Sequence, residues 1–259
     1  MSPFSRAASK LRAHLNYLKE ENVTEVEVSP HNLAALQQRL RAPRASTPSP
    51  TPTAAAPIAN APVAGNVAEE LAAIAAEIAA CQKCRLCESR TNTVPGQGNL
   101  QPEIMFIGEG PGAEEDKQGI PFVGRAGQLL TQIIEAMGFT REQVFIGNVV
   151  KCRPPDNRVP MPDEMAACLP YLERQIALLK PKVIVALGAT AVKGLFNDPK
   201  VSITKIRGQW MSYQGIDTMP TLHPAYLLRN PPAKREVWED MKTVLTRLGR
   251  PIPAPKKRS

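Results

Sequence analysis

The sequence predicts an α/β fold, three-layer α/β/α with a largely parallel central sheet, and three observations predict it. Apolar strand-like runs at 104–107, 144–150, 183–187 and 218–222 alternate with helical periods, the pattern of parallel strands joined by crossover helices. Leu129, Leu130, Ile133, Ile134 and Met137 form one apolar helix face, and Met165, Leu169, Leu172, Ile176 and Leu179 form another. The polar signatures fall at or just after the strand ends, where open parallel sheets bind ligands: Gly108-Glu-Gly-Pro-Gly112, Asn148, and His223-Pro224.

The rest of the chain divides around this body. Residues 1–41 carry Leu11, Leu15 and Leu18 at helical spacing and read as an N-terminal helical segment of unassigned role. Residues 42–66 shift to Pro, Ala, Thr and Ser, a composition that buries too little apolar surface to fold and reads as a flexible linker. The α/β domain is expected over 67–249, opening with an Ala-rich helix to about residue 80. A basic tail, 250–259, ends in Lys256, Lys257 and Arg258.

Composition bounds the function. A hydrophobic fraction of 43% supports a buried core, and a formal charge of +8 favours a polyanionic partner without demanding one. Five cysteines in 259 residues are too sparse for a secreted disulfide scaffold and point to a metal or redox site in a reducing compartment, so a cytoplasmic protein is expected. No apolar run approaches the length of a membrane span, and the first twenty residues lack a signal-peptide core.

Cys81 and Cys84 form a C-x-x-C pair that Cys152 and Cys168 would complete to four thiolates, with Cys87 a fifth candidate. Four thiolates suit tetrahedral zinc or an iron–sulfur cluster, and the spacing leaves both open beside a third reading as reduced, buried cysteines. The glycines at 108, 110 and 112 fit neither the phosphate-loop nor the dinucleotide pattern. They read as a tight turn or, because Glu109 sits among them, as a loop that holds a water. His223, Phe122 and Asn148 each have a structural reading, as a packed histidine, a core aromatic and a turn cap. Each also has a functional one, and Asn148 could present both a donor and an acceptor to a flat ligand.

Taken together, these segments resemble the family 4 uracil-DNA glycosylases, the thermostable type with a [4Fe-4S] cluster. The resemblance runs from Cys81 to about Trp238. It is carried by Cys-Gln-Lys-Cys-Arg-Leu at 81–86, Gly-Glu-Gly-Pro-Gly-Ala-Glu-Glu-Asp at 108–116 and Pro-Phe-Val-Gly-Arg-Ala-Gly-Gln-Leu-Leu at 121–130. Asn-Val-Val-Lys-Cys-Arg-Pro-Pro at 148–155 and His-Pro-Ala-Tyr-Leu-Leu-Arg-Asn-Pro at 223–231 extend it.

The resemblance implies a uracil-DNA glycosylase-like fold and hydrolysis of the N-glycosidic bond of uracil in single- or double-stranded DNA, the first step of base excision repair. It implies a [4Fe-4S] cluster on Cys81, Cys84, Cys152 and Cys168, with Cys87 outside the pattern although Cys84 and Cys87 share the same spacing. Glu109 and Gly110 would position the water, with Asn157 assisting. Gly108, Phe122 and Asn148 would meet the uracil, His223 would donate to its O2, and Leu227, Leu228 and Arg229, after Tyr226, would enter or hold the DNA. Two rivals remain: a relative that binds uracil-DNA irreversibly through a histidine absent from Lys205-Ile-Arg-Gly-Gln-Trp210, and a non-catalytic iron–sulfur or zinc protein, which needs neither Glu109 nor His223. A monomer is expected, with residues before about 69 outside the resemblance and a tether to a repair or replication protein the expectation for them.

Overall fold

A computed structural model describes residues 64–254, with side chains from Val67 onward. The expected N-terminal helix, most of the linker, the tether to a partner and the terminal Lys256, Lys257 and Arg258 lie outside the described residues. The chain opens with helix α1 (Ala64–Ala79), which starts inside the segment read as linker. Ala64 lies beyond the last proline of that stretch, so nothing removes a backbone donor from the first turn.

Six strands form one sheet: β1 (Gln97–Gly98), β2 (Ile104–Gly108), β3 (Phe145–Asn148), β4 (Val183–Leu187), β5 (Met211–Tyr213) and β6 (Ile216–Thr221). Their order is β1-β3-β2-β4-β6-β5. The four inner strands are parallel, and the short edges β1 and β5 are antiparallel. All four runs read from the sequence are inner strands. The edges, of two and three residues, are too short to show a period.

Alternation along β2 assigns the two faces. Met105 and Ile107 pack with Ile74 and Ile78 of α1, with Leu172 and Ile176 of α4 (Pro162–Leu179), and with Ala191 and Val192 of α5 (Gly188–Phe196). Ile104 and Phe106 pack on the other face with Leu130 and Ile134 of α3 (Arg125–Ala136) and with Val237, Met241 and Val244 of α8 (Lys234–Arg247). Strands buried on both faces read as continuous apolar runs because neither side meets water.

The crossover from β2 leads to β3 on one side, and β4 returns on the other side of β2. The crevice at the carboxyl ends of β2 and β4 is therefore the topological switch point, where this class of sheet binds ligands. Two short helices border it, α2 (Ala113–Gln118) after β2 and α7 (Pro224–Arg229) after β6; a third, α6 (Ile203–Ile206), precedes β5.

The segment read as a tail is docked at its start, because Arg250 pairs with Glu103 and stacks over Phe139. The domain boundary therefore lies beyond residue 250. Among the described residues, no helix is long and apolar enough to cross a membrane.

A buried polar group fixes the end of β6. Asp240, 2% exposed, accepts from Thr221 Oγ1 at 2.6 Å and from Arg207 Nη2 at 2.7 Å, tying α8 to the strand that carries His223 two residues later. Asp240→Ala leaves the largely buried Arg207 with only the more exposed Glu236 carboxylate, 3.4 Å away, and is expected to cost about 3 kcal/mol. A urea midpoint equal to that of the wild type would show that the pair contributes no net stability.

Candidate active site and cysteine cavity

A cleft of about 540 Å³ opens at the switch point. Its walls include Glu109, Gly110, Phe122, Asn148, Asn157, His223 and Arg229, so seven residues singled out from sequence, drawn from five separate segments, meet in one place.

Gly108, the last residue of β2, lies buried beneath the cleft instead of lining it. A Cβ there would stand 2.5 Å from Asn148 Oδ1 and 2.5 Å from Phe122 Cζ, so only glycine lets the ring and the amide approach each other. Gly110 is constrained in the same way by Val150 Cγ2, 2.7 Å from its hypothetical Cβ.

Asn148, 1% exposed, ends β3 with its Oδ1 lacking any hydrogen-bond partner. A buried acceptor left unpaired costs about 1 to 3 kcal/mol and is unusual in a native structure unless a ligand supplies the donor. Phe122 faces the same space with φ +52°, a conformation costing about 1 to 3 kcal/mol for a residue with a side chain. Two features hold it there. Arg141 donates to the carbonyls of Phe122 at 2.9 Å and Pro121 at 2.6 Å. Gly127 makes room, since a Cβ at that position would lie 2.0 Å from the Phe122 carbonyl.

Glu109 leaves β2 half-buried. Burial raises its carboxyl above the usual range, and a hydrogen bond with Thr190, at the start of α5, partly offsets this. Glu115, quoted in the motif but given no role, also lines the cleft. Its Oε1 accepts from the Val123 and Gly124 amides at 2.9 and 2.8 Å, and its Oε2 accepts from the Gly112 amide at 3.1 Å. It pins the 108–112 loop to the Phe122 turn. Asn157, also in a left-handed conformation (φ +54°), accepts from Arg153 Nε through Oδ1 at 2.8 Å.

His223 caps α7. Its Nδ1 accepts from the Ala225 amide at 3.1 Å, which places the proton of the neutral ring on Nε2. The Phe122 ring lies 5.8 Å away, tilted by 35°. Burial, and then the charge of Arg229, pull the imidazole down to about 4, so it is neutral at pH 7.

Helix α7 corrects one expectation. Leu227 is wholly buried in the core of the α3 and α8 face and cannot enter a duplex from there. Leu228 and Tyr226, 37% and 40% exposed, face outward. Six helical residues leave one turn to anchor the element, and Leu227 supplies that anchor.

A second cavity lies among the cysteines and is lined by Cys81, Cys84, Cys87, Cys152 and Cys168. The backbone amide of Lys151 donates to Cys168 Sγ at 3.3 Å, and Arg90 Nη1 donates to Cys152 Sγ at 3.2 Å and to the Cys81 carbonyl at 2.9 Å. Burial raises the thiols of Cys84, Cys152 and Cys168, the last to about 11. A cation among these sulfurs would oppose that shift. Lys151 also lines the cavity, wholly buried, and nothing in its sequence context set it apart from an ordinary surface lysine.

Comparison with known proteins gives this geometry its family. A family model described as the uracil DNA glycosylase superfamily matches residues 95–242. The chain belongs to the uracil-DNA glycosylase superfamily. Within it, a type-4 uracil-DNA glycosylase of Thermotoga maritima is 55% identical over 166 residues, covering 62% of this chain and 85% of that protein. One from Sulfurisphaera tokodaii is 50% identical over 184 residues, covering 68% and 84%. A type-5 uracil-DNA glycosylase of Thermus thermophilus is more distant, 32% identical over 117 residues, covering 39% and 53%.

The state of His223 has a thermodynamic consequence. Between pH 6.5 and about 4 the unfolded chain takes up a proton that the folded chain refuses. The associated stability is therefore complete above pH 6.5 and is lost as the pH falls through 4. His223→Asn keeps a capping acceptor without the titration. From pH 7.5 to 4.5, the wild type should lose about 2 kcal/mol more than this variant. Parallel urea curves measure the difference, and an equal loss in the two proteins would place the imidazole in a solvated, unshifted state.

Proposed function

We propose that this member of the superfamily removes uracil from DNA by hydrolysing the N-glycosidic bond, leaving free uracil and an abasic site. The observation that carries the reading is Asn148, whose buried, unpartnered Oδ1 faces the same cleft as Phe122 and a neutral His223. A base still stacked in a duplex cannot reach such a cleft, so the nucleotide is flipped out at a cost of a few kcal/mol. Stacking on Phe122 offsets about 1 to 3 kcal/mol of that.

Uracil N3–H donates to Asn148 Oδ1, and the Asn148 amide donates to O4. Cytosine reverses both groups and leaves buried polar atoms unpaired, which rejects it. As the C1′–N1 bond breaks, uracil keeps the bonding electrons, and Nε2–H of His223 donates to the charge that develops on O2. Glu109 and the backbone of Gly110 hold the water that adds to C1′. The raised carboxyl of Glu109 makes it a better acceptor for the proton this water sheds. Asn157, at the rim, assists in holding the reacting groups, and Arg229, Leu228 and Tyr226 meet the DNA around the flipped nucleotide. The Lys205–Trp210 stretch holds no histidine, which favours turnover over irreversible capture.

The cysteine cavity fits a thiolate-bound group, because its sulfurs meet cationic and amide donors and few competing acids. Among the described residues, no group of three or more His, Cys, Asp or Glu side chains is already gathered closely enough to hold a metal ion. By the resemblance to the iron–sulfur type of this family, Cys81, Cys84, Cys152 and Cys168 would hold a [4Fe-4S] cluster. When bound, it supplies a covalent crosslink between the start of the domain and the segment after β3.

The test is excision from an oligonucleotide with a single uracil by anaerobically purified protein, followed by alkali cleavage. Wild type is expected to leave alkali-labile sites. His223→Ala should slow single-turnover excision at least roughly tenfold while retaining DNA binding, the lower end of what losing such a donor costs. Cluster-loaded wild type that binds uracil-DNA and releases no base would end the enzyme reading, and an unchanged rate in His223→Ala would remove that residue from the mechanism.

A further inference from the structure

One side chain links the cysteine cavity to a wall of the cleft. Lys151 follows β3 by three residues and is 0% exposed. Its Nζ donates to the backbone carbonyl of Asn148 at 2.9 Å and to Gln175 Oε1 at 2.8 Å, and Gln175 Nε2 in turn donates to the Pro95 carbonyl at 2.8 Å. Its backbone amide donates to Cys168 Sγ, and its carbonyl accepts from the Val94 amide at 2.8 Å. The lysine thus reaches back along the chain to the residue that reads the base, while its own backbone is bound to a cluster ligand.

A buried ammonium held only by two neutral oxygens is costly unless an anion lies close by. Among the described residues, no carboxylate forms an ion pair with Lys151. Among the described residues lining the cavity, the side chains that could supply an anion beside it are the cysteines, as ligands of a bound group. Four thiolates around a [4Fe-4S] core of charge 2+ leave a net charge of about −2; among the described residues three cations line the cavity, Lys83, Arg90 and Lys151, and of these Lys151 is the one wholly buried.

We propose that Lys151 is a positioning residue that ties occupancy of the cysteine site to base recognition. Its ammonium is compensated by the thiolate-bound cluster on one side, and on the other it fixes the Asn148 carbonyl and so the aim of the Asn148 amide. This rests on the glycosylase reading and its cluster. It adds a route by which loss of the cluster disables the cleft without unfolding the sheet. An uncompensated ammonium would leave its pocket, freeing the end of β3 in which Oδ1 of Asn148 is held for uracil.

The experiment uses the full chain, purified anaerobically with its cluster, as wild type, Lys151→Met and Lys151→Gln. Methionine keeps the bulk and loses both charge and donor. Glutamine loses the charge and keeps an N–H. Iron content, visible absorbance, the cluster's reduction potential, and excision of uracil against cytosine are measured for each. Removing a positive charge beside the cluster disfavours the added electron, so both variants are expected to have a lower potential than wild type at equal iron content. Lys151→Met is expected to excise uracil at least roughly tenfold more slowly, the scale of a lost charge-assisted hydrogen bond, with Lys151→Gln between it and wild type.

A potential unchanged in both variants would make Lys151 a neutral core filler and overturn the proposal, as would wild-type excision by Lys151→Met. If Lys151→Met does not fold, Lys151→Gln decides by its potential alone. Failure of the wild type itself to excise uracil would instead count against the glycosylase reading, so the two failures are distinguishable.

Discussion

A methyl group's worth of space at the end of β2 governs the cleft. With a Cβ at Gly108, neither the Asn148 amide nor the Phe122 ring could stand where it does, since both would be approached to 2.5 Å. The same strand end then delivers Glu109 toward Thr190 across the switch point. The placement of the ring, the amide and the carboxylate therefore shares one origin, a parallel strand that ends without a side chain between two neighbours that need the room.

The cleft is also stiff, and its stiffness has identifiable sources. Phe122 holds a left-handed backbone that the Arg141 clamp and Gly127 over-determine, and Glu115 fastens three amides of the two loops that flank the cleft. Strain of this kind persists only where the surroundings hold it. Its benefit here is that the ring need not be ordered when a base arrives, so little of the stacking energy is lost to entropy.

The inner sheet was legible in the sequence because strands buried on both sides leave apolar runs, and the site was legible because glycine, proline, histidine and asparagine stand at the ends of those runs. What escaped has physical reasons. Glu115 and Thr190 act through contacts between segments tens of residues apart, which no local pattern records. Lys151 looks like any lysine until the fold removes water from it. The wedge assignment split because two adjacent leucines on one helical turn must point apart, and sequence does not say which one faces the core.

That split bears on His223 more than on DNA. A six-residue helix has almost no stability of its own, and most helical stability comes from packing. Leu227 packs into the core of the α3 and α8 face, and Pro224 presets the first turn, so α7 is held where its N-cap, His223, meets the cleft. The Ala225 amide then occupies Nδ1 and turns Nε2–H into the free donor. The buried leucine therefore acts on the cleft at one remove: it fixes the helix that fixes the tautomer, while Leu228 and Tyr226, on the opposite side of the same turn, remain exposed.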